Sequence, residues 1–274
     1  MRPWMRPLMR WVVGWLPALL VWPGLVAAEV QSNCQALAEG PRLELAAFGA
    51  PLQDAVRIRY LSHAEFALET PGGVLAVTDY NGLLGNPDVV PDVATMNHAH
   101  ESHYTDAPDR RIPLLLKGWP QAGQPAFFDL QVRDLHIRNV TSDTRGPFGE
   151  GAERDGNSIF LFEAAGLCIA HMGHLHQRLG PVQRMGIGRV DVVMLPVDGG
   201  YTMNQDAMVQ VAMDLHARVV IPMHWFSDAA LGEFLARMQG RFDIRDPAGP
   251  EVELSLFSLP ERPTVIVLTP ALIP

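Results

Sequence analysis

Lysine is all but missing from this 274-residue chain. Lys117 is alone among 21 basic residues, the rest being arginines scattered along the sequence, and they face 30 acids for a formal net charge of −9. Phosphate binding needs a concentrated basic face, so this charge pattern argues against DNA or RNA as a partner and leaves small molecules as the expected class. Charged residues are also scarce, at 19% against 48% hydrophobic ones, which excludes a disordered chain. Two cysteines are too few for a small disulfide-stapled scaffold. A Cys34–Cys168 bridge would need an oxidising compartment, and Cys168, inside the apolar run Gly166-Leu167-Cys168-Ile169-Ala170, reads instead as a core residue. No segment resembles a flavin- or haem-binding stretch. Beyond residue 28 no apolar run approaches the ~20 residues that a membrane-spanning helix requires.

What is present begins with an export signal over residues 1–28. Arg2, Arg6 and Arg10 form a positive n-region, Trp11 to Val26 is almost wholly apolar, and Val26-Ala27-Ala28 supplies small residues for cleavage after Ala28. The apolar run is short for an anchor and holds Pro17 and Pro23, so the remainder is expected to be exported, to periplasm or medium, with no stable membrane insertion. Removing the segment takes away three arginines and no acid, making the mature chain more acidic still.

No repeat, low-complexity tract or linker divides residues 29–274, which read as one domain. Alternation at Val56, Ile58 and Tyr60 and at Phe66 and Leu68, with a Pro71-Gly72-Gly73 turn before Val74–Thr78, predicts antiparallel hairpins. Further strands are expected at Val93–Met96, Ala126–Leu130, Val132–Ile137, Ser158–Glu163 and Leu167–Ala170. Strands then alternate with helices: Val192–Leu195, a helix over about Asn204–His216, Val219–Pro222, and a helix over about Asp228–Gln239. Leu83–Asp92 and Thr144–Asp155 read as loops. The pattern predicts an α/β fold of two packed sheets flanked by helices, a four-layer α/β/β/α sandwich.

The chemistry-bearing feature is histidine. Six of the ten fall in two short windows, His98-Ala99-His100-Glu101-Ser102-His103 and His171-Met172-Gly173-His174-Leu175-His176. In extended backbone residues i and i+2 project to one side, so His98 and His100 can converge on one ion, with His103 reaching a neighbouring position after the chain turns. The second window again follows an apolar strand, as does His224 in Ile221-Pro222-Met223-His224-Trp225. Three strand ends delivering imidazole suit a transition metal such as Zn²⁺, with Fe, Ni or Cu equally compatible with neutral imidazole.

These segments resemble the metallo-β-lactamase superfamily, particularly its lactonase-like and phospholipase-D-like branch. Tyr60-Leu61-Ser62-His63-Ala64-Glu65-Phe66 is similar to the opening strands, and Thr78-Asp79-Tyr80 falls where an Asp commonly orients a ligand. His98–His103 falls on a His-x-His-x-Asp-His signature, and Gly173-His174 on a Gly-Asp. Pro196–Met203 falls on a Pro-x-Gly-Gly loop and Pro222-Met223-His224 on a Pro-x-His. The resemblance implies up to two metal positions between the sheets, a bridging hydroxide as nucleophile, and hydrolysis of a lactone, ester, amide or phosphodiester.

The departures are specific. Ser102 and His174 stand where the signature has carboxylates, and Ser142 or Asp143 stands where a further His is expected. A carboxylate beside a cation is worth about 4 kcal/mol per unit-charge pair at ~4 Å and an effective dielectric near 20, before desolvation. Losing two weakens the case for a dinuclear centre. The expected ligand pool is therefore His98, His100, His103, His174 and His224, with His171 and Asp198 in reserve, and Asp198 or His174 as proton acceptor. Asp79 is read either as an acceptor that orients a ligand imidazole or as a turn residue. His63 lines the cleft by resemblance or is structural, as a strand histidine outside any cluster more often is; His176 is read as facing the cleft or as starting a helix, and His136 and His216 as ordinary surface or boundary residues. A non-catalytic metal-binding protein on the same fold is the alternative.

Overall fold

The computed structural model describes residues 32–36, 54–100, 102–145 and 152–274; the expected signal segment 1–28 and Glu101 lie outside them. In chain order α1 (Asn33–Ala36) precedes β1 (Val56–Ser62), β2 (Glu65–Glu69), β3 (Leu75–Thr78), β4 (Val93–Met96) and β5 (Leu114–Lys117). There follow β6 (Asp129–Val132), β7 (Leu135–Arg145), β8 (Ala152–Ala164), β9 (Leu167–His171), α2 (Pro181–Ile187), β10 (Val192–Pro196) and α3 (Gln205–Asp214). The chain closes with β11 (Val219–Met223), α4 (Asp228–Met238), β12 (Asp243–Arg245), β13 (Glu251–Leu254) and β14 (Thr264–Ile266).

Two sheets result, in the orders β13-β1-β2-β3-β4-β5 and β12-β14-β11-β10-β9-β8-β7-β6. The alternation read in β1 and β2 holds. Ile58, Tyr60, Phe66 and Leu68 enter the core between the sheets and meet Ile137, Phe160, Phe162 and Ile169 from the opposite sheet. Arg57 and Arg59 point the other way, to exposed pairs with Glu69, Glu253 and Glu251 that add little stability. The strands β9, β10 and β11 are buried on both faces and read accordingly as unbroken apolar runs. Their second face packs under the helices, where Ile187, Met208, Val211, Phe234 and Met238 form a further core. On the outer face of the six-stranded sheet, Leu61, Val77, Ala94 and Met96 pack with Ile112, Leu84 and Trp119, which lie in loops among the described residues.

Several expectations are corrected. The first half is not all hairpins, since β3, β4 and β5 pair in parallel. The expected strand Val132–Ile137 is broken by a turn at Arg133-Asp134, with Arg133 at φ +51°, so pairing restarts at Leu135. The described ends of the expected loop Thr144–Asp155 are strand, because β7 runs to Arg145 and β8 begins at Ala152, while 146–151 lie outside the described residues. His136 is buried and lies 2.6 Å from Asp129 Oδ1. His176 does not start a helix; α2 begins at Pro181, whose fixed φ suits a first helical position.

Cys34 and Cys168 are joined in a disulfide with Cα atoms 5.9 Å apart, contrary to the reading of Cys168 as a free core thiol. Both descriptions of Cys168 share one cause, its burial in β9: a thiol fixed in the sheet faces the short segment Ser32–Ala36, which docks there. Ser32 Oγ donates to Glu163 Oε1 at 2.6 Å, Arg189 N donates to Cys34 O at 3.0 Å, and Arg138 Nε holds Glu163 from the other side at 2.8 Å. The bridge closes a sequence separation of 134 residues. Loop-closure entropy of that length sets an upper value of about 5 kcal/mol. Reduction, or the pair Cys34→Ala and Cys168→Ala, is expected to lower stability in denaturant melts by roughly 2–5 kcal/mol; an unchanged midpoint would show that the tether carries no load.

Candidate metal centre

Five parallel strands end at one rim of the sandwich. From the C-terminal ends of β3 and β4 come Asp79 and the window His98–His103; from β9, β10 and β11 come His174, Asp198 and His224. Strand ends of this kind expose backbone that a following loop can shape, which is why open sheets place ligands there. His63 arrives from the β1–β2 turn. Three of these residues, His63 (φ +36°), Asp79 (φ +45°) and His224 (φ +59°), hold left-handed backbone without being glycine. Such strain concentrates where side chains must be aimed.

His103 is the centre. Fully buried, it donates Nδ1–H to Asp79 Oδ2 at 2.6 Å, and Asp79 Oδ1 accepts the Asn97 amide at 2.8 Å. Burial raises the Asp79 carboxyl to about 6, with the nearby imidazoles and the Asn97 amide opposing it, so at neutral pH it is the acceptor that fixes the His103 tautomer. The freed lone pair on His103 Nε2 faces His174 Nδ1 at 2.7 Å and His224 Nε2 at 3.1 Å. Burial first, then the neighbouring imidazoles, holds both His103 and His174 well below the usual histidine range. Neutral rings with nitrogens aimed at one another are the donor set a divalent cation takes.

His174 owes its place to its neighbours. Its amide donates to Asn157 Oδ1 at 2.8 Å, and Asn157 in turn donates to Ser142 Oγ at 2.9 Å. Ser142, where a further His was expected, thus supports the strand end. A side chain at Gly173 (φ +57°) would lie 2.4 Å from Asn157 Oδ1, so only glycine permits this approach.

His98 donates Nδ1–H to the Gly156 carbonyl at 2.7 Å, keeping Nε2 as a donor atom, and its ring stands 5.3 Å from that of His174. His100 is exposed, 5.7 Å from the His174 ring, with Nδ1 3.1 Å from Ser102 Oγ. These two flank the cluster. His171, held in reserve as a ligand, is not one here: Nε2 donates to Ala64 O at 2.8 Å and Nδ1 accepts from Asn97 and Gly173 at 3.0 and 3.2 Å. Both its nitrogens are used inside the fold.

Asp198, expected as proton acceptor or reserve ligand, is held by its own loop. Oδ1 accepts the amides of Gly200, Tyr201 and Thr202 at 2.8, 2.5 and 3.0 Å, and Oδ2 accepts Thr202 Oγ1 at 2.5 Å. Burial raises its carboxyl, but these donors and His224 outweigh that and hold it well below the carboxylate range. Oδ2 also lies 3.1 Å from His224 Nδ1, without hydrogen-bond alignment. Asp198 therefore organises its loop and backs His224.

His63 and His176, each left between a structural and a cleft-lining reading by the sequence, both lie in the cluster. Burial and nearby His224 push His63 down to about 3; burial and nearby Arg145 push His176 down to about 4. Among the described residues three buried side-chain nitrogens lack a hydrogen-bond partner, His63 Nε2, His176 Nε2 and His224 Nδ1, and all three belong to this cluster. Buried polar atoms are nearly always paired, so this concentration of orphans fits a missing cation or substrate. The available signal was the Ser62-His63-Ala64 break between two alternating runs, a hairpin turn carrying histidine in place of glycine.

A two-sheet sandwich with imidazoles at the carboxyl ends of its parallel strands is the architecture of the metallo-β-lactamase class. The chain belongs to this superfamily: the family described as "Beta-lactamase superfamily domain" matches residues 57–224. A UPF0173 metal-dependent hydrolase of Anaeromyxobacter dehalogenans (strain 2CP-C) is 28% identical over 228 residues, spanning 69% of this chain and 82% of that protein. A namesake from Methanosphaerula palustris is 28% identical over 184 residues, 62% of this chain and 84% of its own length. A solved structure from Thermotoga maritima, described as a Zn-dependent hydrolase of the metallo-beta-lactamase superfamily, is 28% identical with a TM-score of 0.56, covering 78% of this chain and 98% of that one. One from Parabacteroides distasonis, at 16% identity and a TM-score of 0.52 over 68% of this chain and 89% of its own, shares the fold.

Asp79→Ala leaves His103 Nδ1–H and the Asn97 amide buried without acceptors, at about 1–3 kcal/mol each. Denaturant melts of the metal-free protein are expected to show a loss of roughly 2–5 kcal/mol, with Asp79→Asn, which keeps one acceptor oxygen, falling between. Equal stability of the alanine variant and wild type would mean that this hydrogen bond does not hold the cluster.

Proposed function

We propose that the protein is an exported metal-dependent hydrolase of the metallo-β-lactamase superfamily that cleaves a lactone, ester, amide or phosphodiester of a small molecule, with zinc as the expected ion. The observation that carries this reading is the convergence of His103 Nε2, His174 Nδ1 and His224 Nε2 at 2.7 and 3.1 Å with Asp79 behind them. A cation held there would lower the pKa of a water toward neutrality and polarise the bond under attack. The names of the relatives support hydrolysis.

The chain's own groups divide the remaining work. His103 and His98 each keep a proton on Nδ1, through Asp79 and the Gly156 carbonyl, and so present Nε2 as a lone pair. His176 does the opposite. Its Nδ1 accepts the Arg145 amide at 2.7 Å, which puts the proton on the buried Nε2, close to the Tyr201 backbone, as a donor for a substrate oxygen as charge develops. At the rim Tyr201 and Phe226 are 69% and 63% exposed, their rings 5.0 Å apart, and Phe226 lies 5.1 Å from His63. Exposed aromatics beside a polar centre suit an apolar substituent on the substrate.

Export rests on the pattern of residues 1–28 and draws support from the Cys34–Cys168 bridge, since stable disulfides belong to oxidising compartments. The specific observation favouring a metal-binding protein without catalysis is the crowding of imidazoles around His103, because catalytic zinc keeps one position open.

Purified mature protein is expected to contain zinc and to turn over at least one member of a panel of chromogenic esters, lactones and phosphodiesters. Chelation should abolish turnover and added zinc restore it, while His103→Ala should retain neither metal nor activity. Bound metal with no turnover across the panel would favour the non-catalytic reading, and wild type without metal would sink both.

A further inference from the structure

His63 lies outside both histidine windows, yet it is the residue that completes a coordination set. Its ring centroid stands 3.9 Å from that of His224 and 5.7 Å from that of His103. Each of the three can offer a nitrogen, and those nitrogens lie within 4.8 Å of one another, the one group of its kind among the described residues. Ligand nitrogens around tetrahedral zinc, at 2.0–2.1 Å from the ion, are separated by roughly 3.3 Å, so closure onto one ion would bring the rings together by up to about 1.5 Å.

We infer that His63 is a direct metal ligand, forming with His103 and His224 an all-imidazole site for one divalent transition ion, and that the β1–β2 turn is built to present it. This rests on the metal-dependent reading above and adds His63 to the imidazoles that reading names. Three observations converge. The turn carries His63 at φ +36°, a conformation that glycine or asparagine would adopt at less cost. Its carbonyl accepts both the Tyr60 hydroxyl at 2.6 Å and the His224 amide at 2.7 Å, so the turn and the end of β11 are one unit and the two rings keep their spacing. Its Nε2 is buried with no partner, a cost that only a ligand from outside the chain would remove.

The oxygen ligands within reach do not serve. Ser102, one residue before His103, has its hydroxyl 3.1 Å from His100 Nδ1, on the exposed side of the window. Asp79 and Asp198 are occupied by amides and by the far nitrogens of His103 and His224. Three neutral ligands leave the ion its full double charge, and these two carboxylates stand behind two of the three rings. An imidazole set of this kind selects Zn²⁺, Ni²⁺ or Cu²⁺ over Mg²⁺ or Ca²⁺, which prefer oxygen.

The test is zinc binding by full-length mature protein, measured by competition with a chromophoric chelator, alongside X-ray absorption to count imidazoles at zinc. His63→Asn keeps a residue that tolerates the turn and removes the imidazole. It should weaken zinc binding roughly 10-fold or more, since even the groups behind metal ligands are worth 10–100-fold, and lower the imidazole count by one. The exposed His216→Asn should change neither. Unchanged affinity and count in His63→Asn overturn the assignment while leaving the metal-dependent reading intact. Should that variant fail to fold, anomalous scattering from zinc-loaded wild-type crystals decides. A His63 nitrogen at about 2.0–2.1 Å from the ion supports the assignment and one beyond coordination distance overturns it. Wild type that binds no zinc removes the parent reading and this one together.

Discussion

A carboxylate buried beyond reach of water holds one imidazole by a 2.6 Å hydrogen bond, and the other rings are arranged around the lone pair that this bond creates. Without Asp79 the His103 ring could rotate or change tautomer, and Nε2 would no longer face His174 and His224. Asp79 can be buried because the Asn97 amide takes its second oxygen, and Asn97 also donates to Ser158 O and His171 Nδ1. The bond thus connects β3, β4, β8 and β9. His171, useless as a ligand, is part of the frame that keeps this network closed.

Charge is displaced in this centre rather than absent. Ser102 and His174 stand where the superfamily signature has acids, which removes two carboxylates from direct contact with an ion. Asp79 behind His103 and Asp198 behind His224 place two negative charges one ring further out. Interactions across an imidazole are weaker than direct ones, so an ion held by these rings would keep more of its polarising power, at some loss of affinity. Asp198 has a second task. By gathering three successive amides it shapes the loop that carries Tyr201 to the rim, and Arg145 closes the same loop through the carbonyls of Gly200, Tyr201 and Thr202.

The legible part of the fold was the part with a period. Ile58 to Leu68 alternates because one face is buried, and β9 to β11 are apolar throughout because both faces are. The short strands β5, β12, β13 and β14 carry too few residues for alternation to register, and the parallel pairing of β3 to β5 depends on partners far away in sequence. The disulfide was misjudged because an apolar context describes where Cys168 lies and says nothing of what faces it. The partners of Asp198 were illegible for a similar reason: the amides it accepts are backbone atoms with no signature in the residue pattern.

Composition and spacing by themselves determined that this is an acidic α/β chain whose strands end in imidazole, with His98, His100, His103, His174 and His224 as candidates, because ligand type and strand-end position are local properties. Only the tertiary structure decided which nitrogens meet. It brought His63 beside His224 through a turn that shares a carbonyl with β11, turned His171 into the frame, and spent Asp198 on a loop. Those outcomes depend on ring orientation, tautomer and the backbone amides each carboxylate meets, and the ring placements are set by hydrogen bonds between residues far apart in the chain, such as Asn97 with Asp79 and His224 with His63.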